Sequence, residues 1–229
     1  MKPTLLILGD SHTQVYKHSK IKEYFTINDI IHTDAMDAER NGNYAPYLMN
    51  TIGDRGEQYL EKYIITYGIN DYVMYIFGEP DVRIHFHKQI STLGRNEDEV
   101  IATLVSKYVN KLITITPKQS RIIIRYVIPQ REYSMYGTTY VPVGTIEDRV
   151  RYTCKLNNEL KRVCESTGIL FLDNYMQNEV TDASGVLKDK YCDGLTHYNR
   201  NALPFVNDEI RIFYGKHIPI KKIKIKMIF

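Results

Sequence analysis

Tryptophan is absent from this 229-residue chain, and cysteine is scarce, with Cys154, Cys164 and Cys192 its only three. They form no C-x-x-C pair and show no zinc-type spacing. An odd number without a framework excludes a disulfide scaffold and fits a reducing compartment. No apolar run approaches the roughly 18–20 residues a membrane-spanning helix needs. The short run from Lys2 to Leu8 does not fit a secretory leader. A cytoplasmic protein without a membrane partner is therefore expected. Strong charge is missing too: the formal net charge is +3, too small to point to nucleic acid. There is no G-x-G-x-x-G turn for a dinucleotide, and no cofactor is expected. No repeat, low-complexity tract or linker divides the chain, so residues 1–229 are read as one domain.

What is present is an ordinary globular balance, 43% apolar and 25% charged, with an unusual 19 tyrosines. Tyrosine fills amphipathic positions in cores and also lines polar-ligand clefts. Apolar runs at 4–9 (TLLILG), 72–78 (YVMYIFG), 121–128 (RIIIRYVI) and 168–173 (GILFLD) predict buried strands, and 24–33 holds another candidate. Between them lie helical periods. Ile101, Leu104, Val105, Tyr108, Leu112 and Ile115 recur at helical spacing after an acidic start. Ile146, Val150, Cys154, Leu160 and Cys164 do so after Thr145, whose T-x-x-D pattern with Asp148 resembles a capping box. Residues 56–67 are a weaker helix, and a last helix is expected from about Asn201. Strands alternating with helices predict an α/β fold with a mostly parallel sheet covered on both faces. Residues 129–145 are expected to loop beside the site. The tail at 220–229 (KKIKIKMIF from 221) alternates Lys and Ile, as an exposed edge strand would.

Three stretches carry chemistry. The first strand runs into Gly9-Asp10-Ser11-His12-Thr13, and the mouth of a parallel sheet is where ligands bind. Ser11 there is either a turn residue or a nucleophile, since serine and aspartate also cap helices. Near the other end, D-G-L-T-H supplies Asp193 and His197. A hydroxyl on the first strand and an acid–base pair on a late loop can converge at one mouth of a doubly wound sheet. The third stretch, FGEPDVRIHFHKQI (77–90), follows the strongest strand. If extended, it puts Glu79, Asp81, Arg83, His85 and His87 on one face and Pro80, Val82, Ile84 and Phe86 on the other. The histidines with Asp81 and Glu79 could ligate a metal, but Arg83 in the same row disfavours a cation. No metal is expected.

Together these residues resemble the SGNH (GDSL-like) hydrolase superfamily. LGDSHT matches its first motif, which implies Ser11 as nucleophile with its own N–H as an oxyanion donor. The resemblance implies a flavodoxin-like three-layer α/β/α sandwich. The glycine motif is placed at YAPYLMNTIGDRG, with Ala45 at the glycine position and Gly42 and Gly53 as rivals. The G-x-N-D motif meets GEPD, where Gly78 and Asp81 agree and Pro80 stands for the asparagine. The literal GIND at 68–71 precedes its strand instead of following it. Proline has neither a side-chain donor nor an N–H, so either Arg83, His85 or His87 supplies that donor or ester hydrolysis is poor. The form F-G-E-x-D-x-R-x-H resembles a subgroup associated with polysaccharide genes. The last motif, usually D-x-x-H, implies His197 as base with Asp193 four residues before it. Asp189 is the alternative.

The expected function is a serine-dependent esterase or acyltransferase acting on an O-acylated glycan. Ser11, His197 and Asp193 form its triad. Ala45, Gly78, Glu79, Asp81, Arg83 and His85 bind the oxyanion and substrate, with Arg83 suited to an acidic group. The expected partner is a small-molecule or glycan substrate, and the oligomeric state is open. Two alternatives stand beside it. One is a glycan-modifying transferase of non-acyl groups, methyl among them, using Asp81 or His85 as base. The other is a non-catalytic glycan-binding protein.

Overall fold

The protein is described from a computed structural model, which covers residues 1–32, 49–56, 60–132, 142–194 and 196–218. Five strands, β1 (Thr4–Gly9), β2 (Thr26–His32), β3 (Tyr72–Ile76), β4 (Arg121–Arg125) and β5 (Leu170–Leu172), form one sheet. Every pairing is parallel and the order is β2-β1-β3-β4-β5. This is the flavodoxin-like order, and its crevice opens at the carboxyl ends of β1 and β3. The helices that cover it are α1 (Met49–Gly56), α2 (Lys62–Tyr67), α3 (Glu97–Ile115), α4 (Ile146–Thr167) and α5 (Leu203–His217).

The central strands β1 and β3 are almost wholly buried and apolar because both faces are covered, whereas the edge strand β2 (TINDIIH) is only partly buried. Alternate residues divide between two cores. Leu6, Leu8, Val73, Tyr75 and Ile124 pack with Ile52 of α1, Val105 and Leu112 of α3, and Leu160 of α4. Leu5, Ile7, Met74 and Ile123 pack with Val206, Ile210 and Phe213 of α5. Leu5 to Leu8 are wholly buried, each contributing about 1.5–3 kcal/mol relative to exposure. The three layers are thus α/β/α, as the alternation of strands and helices predicts.

Local signals place the helix ends. Asn96 accepts the Glu99 N–H at 3.1 Å to start α3, whose first turn is acidic. Thr145 and Asp148 form a reciprocal capping box on α4, and Gly168, at φ 73°, ends it. The strand at 24–33 appears as β2, and the candidate at 56–67 is helical at Gly56 and over 60–67, residues 57–59 lying outside the described residues. The tail at 220–229, Ala45 and Gly42 lie outside the described residues. Among the described residues no helix is long and apolar enough to cross a membrane. All three cysteines are free thiols.

The stretch after β3 corrects the extended reading. Residues 79–92 are helical, including wide π-type turns at Asp81–His85 and Lys88–Thr92. Pro80 sits in the first turn at φ −63°, where a missing N–H costs nothing. Alternation of polar and apolar residues over so short a run fits either period. In the helix, Glu79 and Arg83 come together one turn apart, at 3.2 Å, and the single charged face dissolves.

Candidate active site

Gly9 lets the end of β1 lie against β3. A Cβ there would stand 2.4 Å from the Ile76 carbonyl oxygen and 2.6 Å from Thr13 Cγ2. With no side chain in the way, the Asp10 N–H donates to that carbonyl at 3.0 Å. Asp10 then turns the chain: its carboxylate oxygen accepts the His12 N–H at 2.9 Å and its carbonyl accepts the Thr13 N–H at 3.1 Å. The tight turn Ser11–Thr13 that results holds Ser11 above the sheet.

The loop before α5 is closed on itself by a different set of bonds. Asp193 N–H donates to the His197 carbonyl at 2.9 Å, and His197 N–H returns to the Asp193 carboxylate at 3.2 Å. Gly194 takes φ 99°, a conformation that costs other residues dearly. Asn199 ties the base of the loop by donating to the carbonyls of Cys192 at 2.7 Å and Lys190 at 3.0 Å.

These two structures meet. His197 Nε2 lies 2.6 Å from Ser11 Oγ, and His197 Nδ1 lies 2.8 Å from the Asp193 carboxylate. Residues 186 positions apart in sequence thus share one proton path. The His197 and Asp193 side chains keep 28% and 36% of their surface exposed, so the array is open to a substrate. A cavity of about 260 Å³ beside it is lined by Ser11, His12, Arg125, His197, Tyr198 and Arg200, among others.

Behind the array is a buried ionisable layer. The His12 ring centroid is 4.8 Å from that of His197, and its Nε2 is 3.8 Å from Glu79, which in turn pairs with Arg83. Burial outweighs the Glu79 contact and lowers the His12 imidazole to about 4. A neutral His12 adds no charge against an imidazolium at His197. Burial likewise raises the Asp10 carboxyl to about 8 despite its hydrogen bond from His12.

The rest of the charged row goes elsewhere. Asp81 is fully buried and accepts the N–H groups of Met49, at 2.7 Å, and Asn50, at 3.3 Å, at the start of α1. Burial still pushes its carboxyl up to about 7. Gly78, at φ 120°, leaves room for Met49 and Val127 where a Cβ would touch them. The expectation that His85 stands beside Ser11 is corrected: His85 lines a second cavity with Asn50, Gln89, Arg95 and Lys107. His87 lies 3.8 Å from Asp148 at the start of α4. The literal G-I-N-D match is at the opposite edge of the sheet, where Asp71 accepts from Thr4 at the start of β1. No cluster of metal-ligating residues occurs among the described residues.

One residue of this cavity had no motif to announce it. Arg125, at the end of β4, is 1% exposed and stands among Tyr16, Tyr126 and Tyr198, its guanidinium carbon 5.5, 4.4 and 5.7 Å from their rings. The available signal was a charged residue closing the apolar run RIIIR.

No family model and no curated protein sequence matches the chain. Solved structures match it in fold. A GDSL-like lipase from Bacteroides thetaiotaomicron aligns over 93% of this chain and 88% of its own, with a TM-score of 0.56 at 14% identity. An acetylxylan esterase from Geobacillus stearothermophilus, solved as a catalytic mutant, aligns over 93% and 94%, with a TM-score of 0.56 at 14% identity. An α/β hydrolase enzyme from the metagenome of Lake Arreo aligns over 93% and 95%, with a TM-score of 0.55 at 13% identity. At such identities the likeness is one of architecture: this chain has the parallel α/β fold found in GDSL-like lipases and esterases.

Proposed function

We propose that this chain is a serine-dependent esterase or acyltransferase acting on O-acylated carbohydrate, with Ser11, His197 and Asp193 as its catalytic residues. One observation carries the reading: the unbroken line from Ser11 Oγ to His197 at 2.6 Å and on to Asp193 at 2.8 Å. His197 Nε2 takes the hydroxyl proton as Ser11 Oγ bonds to the ester carbonyl, and Asp193 holds the imidazole tautomer that makes this possible. The tetrahedral centre collapses, the C–O bond to the sugar breaks, and His197 returns the proton to the departing alcohol. Water as the second acceptor completes hydrolysis; a sugar hydroxyl completes transfer. The Ser11 N–H opens the turn Ser11–Thr13, a position whose N–H the turn itself does not use, and serves as one oxyanion donor. Ala45 N–H is the proposed second donor. Pro80 supplies none, and Arg83 lies against Glu79.

Similar folds support the chemistry. The acetylxylan esterase has catalytic mutants at an aspartate, a histidine and a serine, and its name motivates the acylated-carbohydrate class proposed here. The reading with Asp81 or His85 as base has less behind it, because Asp81 is enclosed and hydrogen-bonded to α1 while His85 lines the other cavity. The test is turnover of p-nitrophenyl acetate and an acetylated xylo-oligosaccharide, with fluorophosphonate labelling of Ser11. Labelling and turnover that vanish together in Ser11→Ala support the proposal. Turnover that survives Ser11→Ala, or a folded protein that neither labels nor turns over, defeats it.

A further inference from the structure

A buried guanidinium normally meets a carboxylate or a full set of acceptors. Arg125 meets neither. Its Nη2 donates to the Tyr126 hydroxyl at 3.0 Å. Among the described residues Nε and Nη1 have no hydrogen-bond partner, and no carboxylate forms an ion pair with the group. Glu209 is reached only through Tyr126, whose hydroxyl lies 3.1 Å from both of its carboxylate oxygens. Burial raises the Glu209 carboxyl to about 7 and that of Asp10 to about 8, although the Arg125 charge acts to lower both. A void of about 10 Å³ between Asp10, His12, Glu79 and Arg125 has room for at most one water. One water does not neutralise a cation.

We propose that Arg125 is a specificity-determining residue that receives an anionic group of the substrate, a carboxylate carried close to the ester being cleaved. Arg125 lines the same cavity as Ser11 and His197. That cavity, about 260 Å³, is of the scale of one small acyl group or one sugar unit. Arg200 on the same lining adds positive charge toward an incoming anion. A carboxylate is favoured over a neutral oxygen because it alone cancels a desolvated charge, and Arg recognises it strongly. The class is therefore a dicarboxylate half-ester, with the charge on the acyl side, or an acylated uronate, with the charge on the sugar.

The inference rests on the Ser11 cavity being the substrate site, and the experiment separates the two claims. Binding of succinate and of glucuronate is measured by calorimetry on Ser11→Ala, where no turnover is needed. Turnover is measured on wild-type protein with mono-p-nitrophenyl succinate, p-nitrophenyl acetate and an O-acetylated glucuronate. The expected result is carboxylate binding and a kcat/KM for an anionic ester about ten- to a hundredfold above that for its neutral counterpart, the range of one charge-assisted contact. Whichever anionic ester is preferred identifies the side that bears the charge. Arg125→Met combined with Glu209→Gln, which removes the buried carboxyl that Tyr126 links to Arg125, is expected to abolish both effects. Carboxylate binding without turnover of any ester keeps Arg125 as a carboxylate receptor and removes the hydrolase reading, with the ester placement that depends on it. Turnover with no preference for charge and no carboxylate binding overturns the inference and keeps the hydrolase reading. Should the double variant fail to fold, the wild-type ratio and the Ser11→Ala binding decide alone.

Discussion

Two groups of ionisable residues lie above the same sheet, and they behave in opposite ways. Asp193 and His197 keep about a third of their side-chain surface open and point in series at a hydroxyl. Glu79, Asp81 and Arg83 are at most 9% exposed and are spent on one another or on the start of α1. Similar residue types therefore serve the proposed chemistry in one place and architecture in the other. The difference lies in what each carboxylate faces. Asp193 faces an imidazole able to carry a proton onward, while Asp81 faces backbone N–H groups that cannot.

The comparison can be broken by substitution. The largest effect is expected for Ser11→Ala, which should lower kcat/KM for p-nitrophenyl acetate by about 10⁴-fold or more, some 5.5 kcal/mol of barrier, while leaving the urea midpoint unchanged. Asp193→Asn should follow at about 10³- to 10⁴-fold, again with the fold intact, because the imidazole loses the partner that selects its tautomer. Gly9→Ala affects both groups at once. Its Cβ would meet the Ile76 carbonyl at 2.4 Å, and the expected cost is about 3 kcal/mol in equilibrium unfolding. Asp81→Ala belongs to the architectural side. It leaves the Met49 and Asn50 N–H groups without their acceptor and should cost about 1–3 kcal/mol of stability. Its kcat per folded molecule should stay near that of wild type, and a collapse of kcat in the folded variant would erase the distinction drawn here.

The smallest effect concerns pH. Burial raises Glu209 from an ordinary 4.5 to about 7, so the folded state holds a proton that the unfolded chain has released. That contribution to stability is fully present below about 4.5 and is lost as pH rises through 7. Asp10 and Asp81, raised to about 8 and about 7, act in the same direction. His12, lowered to about 4, opposes them by losing stability as pH falls below its ordinary 6.5. With three groups against one, unfolding free energy should decline from pH 5 to pH 8. Glu209→Gln should make that decline shallower in urea titrations at each pH.

Much of this was written locally. Leu5–Leu8, the capped start of α3 and the Thr145–Asp148 box are each specified within a few residues, and the parallel sheet follows from their succession. Ser11 and His197 were legible because a hydroxyl at a strand end and a D-x-x-x-H loop are short patterns. The charged row was misread because polar and apolar residues alternating over nine positions suit a strand or a helix equally. The Glu79–Arg83 contact exists only in the helix. Arg125 carried almost no local mark, since a strand ending in arginine most often sends it to solvent.

Chain order and local chemistry by themselves determined the layered α/β architecture, the strand and helix positions and the identity of the residues at the first strand's end. Such features depend on neighbours a few bonds away, which the sequence states directly. Tertiary structure alone decided that Ser11 and His197 meet at 2.6 Å, that Asp81 becomes a helix cap and that Arg125 is enclosed by tyrosines. Burial and distance set whether a charged group reacts, binds or merely holds the chain, and both arise from segments far apart in sequence.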